Sequence, residues 1–125
     1  MEYANSGDLS HRLRHMRDKD QMFQEEVILK ILTQMCLGIQ ALHSLRIMHR
    51  DLKSANIFLT DDNIVKVGDL NVSKIARQDG LNYTQAGTPY YASPEVWRDK
   101  PYDFKSDVWS LGCITYEMAA LHLPF

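Results

Sequence analysis

The sequence predicts an α+β fold that is mostly helical with one short β-hairpin, and three observations carry that expectation. Apolar residues recur every three or four positions from Phe23 to Leu45, the stripe of an amphipathic helix. Two brief apolar runs, Ile57-Phe58-Leu59 and Ile64-Val65-Lys66-Val67, flank the polar stretch Thr60-Asp61-Asp62-Asn63, which signals two strands about a turn. From Ser106 to Leu121 apolar side chains surround the axis, with Glu117 the only charge inside, so this segment should be a helix buried on most sides.

The elements follow in chain order. A short helix is expected from Gly7 or Asp8 to about Met16, with Ser6 or Asp8 as its cap. The long helix runs from Asp20 to Leu45, with Phe23, Val27, Ile31, Met35, Ile39, Leu42 and Leu45 as its stripe. After the hairpin, Leu70 to Tyr91 is polar and mixed, with Gly80, Gly87 and Pro89 and no sustained period. It reads as a long loop, and loops of that length in compact domains usually carry function. No internal repeat or Gly/Ser linker divides the chain, so its 125 residues belong to at most one packed unit.

Composition narrows the class. With 45% apolar and 24% charged residues the chain is an ordinary globular sequence. A net charge of −2 gives no basic face for nucleic acid or anionic lipid. No run approaches the roughly 18 consecutive apolar residues of a membrane span. Cys36 and Cys113 lie far apart in apolar stretches, without metal-site spacing, and read as buried free thiols of a reducing, cytoplasmic compartment.

The chemistry concentrates in His49-Arg50-Asp51-Leu52-Lys53-Ser54-Ala55-Asn56, which packs two oxygen ligands, a cation and a second possible base between a helix and a strand. A metal-hydrolase pairing of His43 with His49 is disfavoured, because six residues across a helix end do not put two imidazoles on one face. The eight-residue run closely resembles the catalytic loop of protein kinases. Phosphoryl transfer needs an acceptor for the hydroxyl proton, a cation near the transferred phosphate and oxygens on magnesium, roles the resemblance gives to Asp51, Lys53 and Asn56. Gly68-Asp69-Leu70-Asn71 stands where kinases carry the magnesium-binding Asp-Phe-Gly. Asp69 matches, Leu70 keeps an apolar plug, and Asn71 replaces glycine with the side chain most tolerant of left-handed backbone.

Gly87-Thr88-Pro89-Tyr90-Tyr91-Ala92-Ser93-Pro94-Glu95 is similar to the end of a kinase activation segment. The resemblance makes Thr88 part of the substrate-facing loop and Glu95 a buried ion-pair partner of an arginine beyond Phe125. Left without that partner, the carboxylate would be costly to bury or would stay protonated. By the same likeness Asp107 holds the backbone of the His49-Arg50 turn; a plain helix cap is the alternative. Met1 would be the gatekeeper, Glu2 and Ala4 the hinge contacts to adenine, and Phe58 the pocket floor. Thr84 would be the regulatory hydroxyl, its phosphate pairing with Arg50, with Ser73, Tyr83 and Thr88 as alternatives.

Within the kinases the chain most resembles the NIMA-related (NEK) family, on Met1-Glu2-Tyr3-Ala4 through Gly7-Asp8-Leu9, on Asp69-Leu70-Asn71-Val72-Ser73-Lys74 and on Gly87-Thr88-Pro89-Tyr90-Tyr91. The resemblance implies a protein-kinase-like fold over residues 1–125, from the hinge through the buried helix after the activation segment. It implies ATP and Mg2+ as cofactors, protein serine or threonine as substrate, and association with microtubules or cilia. No two of the six glycines are separated by one residue, so the Gly-rich loop and strand lysine of the small N-terminal lobe are expected outside this chain. The chain by itself is then expected to bind ATP weakly and to transfer phosphate slowly or not at all. A non-catalytic interaction module is the alternative, favoured by Leu70-Asn71.

Overall fold

The computed structural model describes residues 7–70, 74–75 and 89–125. Its first helix, α1 (Leu9–Asp18), begins where Asp8 turns extended backbone into helix, the carboxylate accepting the His11 amide at 2.9 Å. An aspartate there satisfies an amide that the helix leaves without a partner. Leu9 and Leu13 are the buried positions.

The long helix, α2 (Glu25–Ser44), starts five residues later than the expected Asp20. Asp20 adopts a left-handed conformation (φ 51°), so the chain turns there and Phe23 enters the core from the connection. Glu25 and Glu26 fall in the first turn, where they complement the helix dipole. Ile31, Met35 and Ile39 are the buried face, whereas Leu45 is 68% exposed just past the end. By length and composition α2 is apolar enough to cross a membrane, with a mean hydropathy of 1.3, yet it is used as the core helix. Cys36 lies on its exposed face, against expectation, because the buried stripe passes through Met35 and Ile39.

Strand β1 (Ile47–Met48) leads into the catalytic-loop sequence, a 3-10 turn spans Ser54–Asn56, and β2 (Ile57–Leu59) pairs antiparallel with β3 (Val65–Val67). This is the expected hairpin, except that Ile64 stays in the turn, 44% exposed. Gln34 of α2 clamps that turn: its amide donates to Asn63 O at 2.8 Å and its carbonyl accepts the Val65 amide at 3.0 Å. A second strand pair was not legible as loop sequence: β4 (Lys74–Ile75) runs antiparallel to β1, Ile47 opposite Ile75.

After a 3-10 turn at Pro89–Tyr91 and the short α3 (Pro94–Trp97), α4 (Lys105–Ala120) closes the core. Leu111, Ile114 and Met118 pack with α2 and β2 in one cluster. The helix is not buried on most sides: Val108, Trp109 and Tyr116 are 52%, 37% and 44% exposed. An apolar helix with no polar stripe cannot reveal from sequence which side meets the core.

Candidate active site

The catalytic-loop sequence folds back on itself between β1 and β2. Arg50 sits at φ 71°, a left-handed conformation that costs a non-glycine residue about 1–2 kcal/mol. Buried Asp107 of α4 compensates: Oδ2 accepts the His49 amide and Oδ1 the Arg50 amide, each at 3.0 Å. The same carboxylate takes His43 Nε2 at 2.7 Å. Asp107 is therefore a clamp on the turn, and the cap of α4 is Phe104 instead. Sequence reasoning missed His43 as a partner, because nothing in its spacing tells that the end of α2 faces the start of α4.

His49 is fully buried, and its ring links two parts of the site. Nε2 lies 2.8 Å from Gly68 O, and Nδ1 accepts the Asp51 amide at 3.3 Å. A carbonyl can only accept, so Nε2 carries the hydrogen and Nδ1 the lone pair. Gly68 is held a second time, its amide donating to Asn56 O at 2.9 Å. The residue has to be glycine: a Cβ there would stand 2.5 Å from Phe58 Cε2. Phe58 therefore packs against the backbone that introduces Asp69.

Asp51, Lys53 and Asn56 come together directly. Lys53 Nζ is 2.9 Å from Asp51 Oδ2, and Asn56 Nδ2 donates to Asp51 O at 2.8 Å and to Oδ2 at 3.3 Å. With its NH2 group so used, Asn56 has its amide oxygen left for a cation. Asp69 is exposed at φ 58° and joins the others through the backbone of Gly68, not through a side-chain contact. Leu70 beside it is 45% exposed and does not act as a plug among the described residues. Asp69 and Asn56 offer the oxygen donors a hard cation such as magnesium takes, few in number as suits an ion that also binds phosphates. No group of three His, Cys, Asp or Glu competes with them among the described residues.

Arg50 turns its guanidinium over the Tyr102 ring, 5.7 Å from the centroid. Burial raises the Tyr102 pKa, and the charge and hydrogen bond of Arg50 oppose the rise. A cavity of about 20 Å³, room for roughly one water, lies among Arg50, Asp51, Tyr91, Tyr102 and Asp107.

Glu95 departs from the expected unpaired carboxylate. It is half-buried, accepts Ser106 Oγ at 2.8 Å, and Ser106 in turn accepts Ser93 Oγ at 2.9 Å. Burial alone would raise its pKa, but its own amide and the Ser106 and Ser93 hydroxyls outweigh that and hold it low. The reason is local: two serines solvate the charge. Met1, Glu2, Ala4, Asn71, Ser73, Tyr83, Thr84 and Thr88 lie outside the described residues.

Another network escaped the sequence. Tyr91 Oη lies 3.0 Å from Ser54 Oγ and donates to Glu117 Oε2 at 2.7 Å, while Tyr91 O accepts Ser110 Oγ at 2.8 Å. Burial, aided by the Glu117 charge and opposed by Ser54, pushes the Tyr91 pKa up to about 12.

A base candidate held beside a lysine and an asparagine, on a turn clamped from a buried helix, is the arrangement phosphoryl transfer uses. Compared with known families, the chain matches the protein kinase domain over residues 1–125. It belongs to the protein kinase family. Among its relatives are the serine/threonine-protein kinases Nek3 and Nek4 of Mus musculus, 45% and 44% identical over the whole of this chain. The probable serine/threonine-protein kinase nek3 of Dictyostelium discoideum is 43% identical over the same extent. These matches place the chain with the NIMA-related kinases. This kinase-domain chain spans 24%, 16% and 12% of the length of those three relatives. Kinase membership implies ATP and a divalent metal in general, and protein substrates.

Proposed function

We propose that the protein containing this chain is a serine/threonine kinase that transfers the γ-phosphoryl group of ATP to protein hydroxyls. One observation supports the reading above the others: Asp51 carries Lys53 and Asn56 on its carboxylate and carbonyl, in a turn that Asp107 clamps. The substrate oxygen forms a bond to the γ-phosphorus while the bond to the β,γ-bridging oxygen breaks and ADP leaves. Asp51 orients the hydroxyl and receives its proton. Lys53, released from Asp51 by the incoming charge, meets the transferred group. A magnesium ion, when bound, neutralises charge on the phosphates, and Asn56 Oδ1 with the Asp69 carboxylate are the groups that would hold it.

The relatives are named serine/threonine-protein kinases, and Lys53 two residues after Asp51 is the family's serine/threonine pattern. We extend the reading to a cytoplasmic address, supported by two free thiols, and to association with microtubules or cilia, supported by the family likeness. Co-sedimentation of the full-length protein with polymerised tubulin tests the latter.

The transfer itself is tested with purified full-length protein, radiolabelled ATP, magnesium and casein. Asp51→Asn keeps the shape and should lower kcat by about 100-fold or more. Equal labelling by wild type and Asp51→Asn would remove the assignment.

A further inference from the structure

Ser54 follows Lys53 directly and opens the 3-10 turn that ends in Asn56. Its side chain is buried, and its hydroxyl has the Tyr91 phenol at 3.0 Å. The phenol has one hydrogen, committed to Glu117 Oε2 at 2.7 Å. Ser54 must therefore be the donor toward the Tyr91 oxygen, so the bonds run in one direction from the catalytic loop to α4. The main chain of Tyr91 is tied to the same helix through Ser110.

Packing alone does not call for this arrangement. Tyr91 is 7%, Ser54 2% and Glu117 7% exposed, and burying a hydroxyl, a phenol and a carboxylate costs free energy that apolar side chains of similar volume would not. Such a relay fixes one position more sharply than apolar contacts do. That position is the residue between Lys53 and Ala55, and displacing it would move Lys53 and Asn56 away from Asp51.

We propose that Tyr91 is a positioning residue for phosphoryl transfer, acting through the Ser54 hydroxyl to hold residues 53–56 in register with Asp51. It touches no reacting atom. The role rests on the kinase reading above, and it couples the catalytic loop to the 3-10 turn at Pro89–Tyr91 and to α4.

Ser54→Ala and Tyr91→Phe each remove one oxygen of the relay and are compared, with the double variant, in the full-length protein. Each single change should lower kcat about fivefold at saturating ATP and peptide, with KM for ATP changed less than about twofold. Because both cut the same relay, the double variant should match the singles. A single variant with wild-type kcat overturns the proposal, and so does a double variant whose losses multiply to about 25-fold. A role confined to stability would lower the unfolding temperature and leave kcat of the folded protein unchanged, which also overturns it. Should Tyr91→Phe fail to fold, Ser54→Ala decides on the same kcat criterion. Wild-type protein that transfers no phosphate sinks the kinase reading and this role together, whereas an active wild type with unimpaired variants sinks this role alone.

Discussion

Replacing Asp107 should damage this molecule more than any exposed charge, and the structure says by how much. Its side chain is 3% exposed and takes three donors: the His49 amide, the Arg50 amide and His43 Nε2. Asp107→Ala leaves two backbone amides without acceptors, at about 1–3 kcal/mol each. It also withdraws the compensation for left-handed Arg50, a strain of about 1–2 kcal/mol. Allowing for water reaching Arg50, which is only partly buried, the expected loss is about 3–5 kcal/mol. Asp107→Asn keeps one acceptor but turns an NH2 group toward a backbone donor, so about 2 kcal/mol is expected. His43→Ala removes one of three partners and should cost about 1 kcal/mol. Denaturant unfolding of the intact kinase domain, followed by far-ultraviolet circular dichroism, reads all three. A loss under about 1 kcal/mol for Asp107→Ala, or one no larger than that of His43→Ala, would refute the clamp.

Three other outcomes follow from single observations. Gly68→Ala puts a methyl group 2.5 Å from the Phe58 ring, so either Phe58 or the backbone ahead of Asp69 must move; a loss of about 1–3 kcal/mol by thermal unfolding is expected, and wild-type stability would contradict the packing. Exposed Cys36 should react with a maleimide within minutes, whereas buried Cys113, its thiol pKa raised by burial, should react only on denaturation; mass spectrometry of the two peptides distinguishes them. Tyr91 has a folded pKa near 12 against an unfolded value of 10.0, so its contribution to stability is whole below pH 10 and is lost as the pH rises toward 12. Tyr91→Phe should therefore flatten the alkaline fall in unfolding temperature over that range, and an unchanged slope would count against the assignment.

Much of this architecture was legible because periodicity and cap chemistry are local. Asp8 caps α1 through its own side chain, and the strands either side of the 60–63 turn pair as their apolar runs require. The errors share a physical origin, which is that a stripe identifies a face without identifying its neighbours. Leu45 continues the period of α2 but lies past its end, and Cys36 sits among apolar residues yet on the outer side. Likewise Val108, Trp109 and Tyr116 cannot be told from Leu111 and Ile114 by composition, although α2 covers only the latter side. For the site, the likeness to kinase motifs named Asp51, Lys53, Asn56 and Asp69, while His43, Ser54, Tyr91 and Glu117 were invisible as partners because 26 to 64 residues of chain separate the groups that meet.

Two left-handed residues show what those long-range partners accomplish. Arg50 and Asp69, at φ 71° and 58°, sit one residue before the base candidate and one residue after Gly68. Neither conformation is favoured by a side chain bearing a Cβ, and each persists only where neighbours over-determine it, at about 1–3 kcal/mol. At Arg50 the neighbour is Asp107; ahead of Asp69 it is the His49 ring and the Asn56 carbonyl, which together hold Gly68. His49 also receives the Asp51 amide, so one buried imidazole serves both strained turns. The two acids are thus kept in a fixed relation by hydrogen bonds that run through backbone rather than through a contact between their side chains. Replacing His49 should for that reason reach Asp51 and Asp69 at once, although its ring touches neither carboxylate.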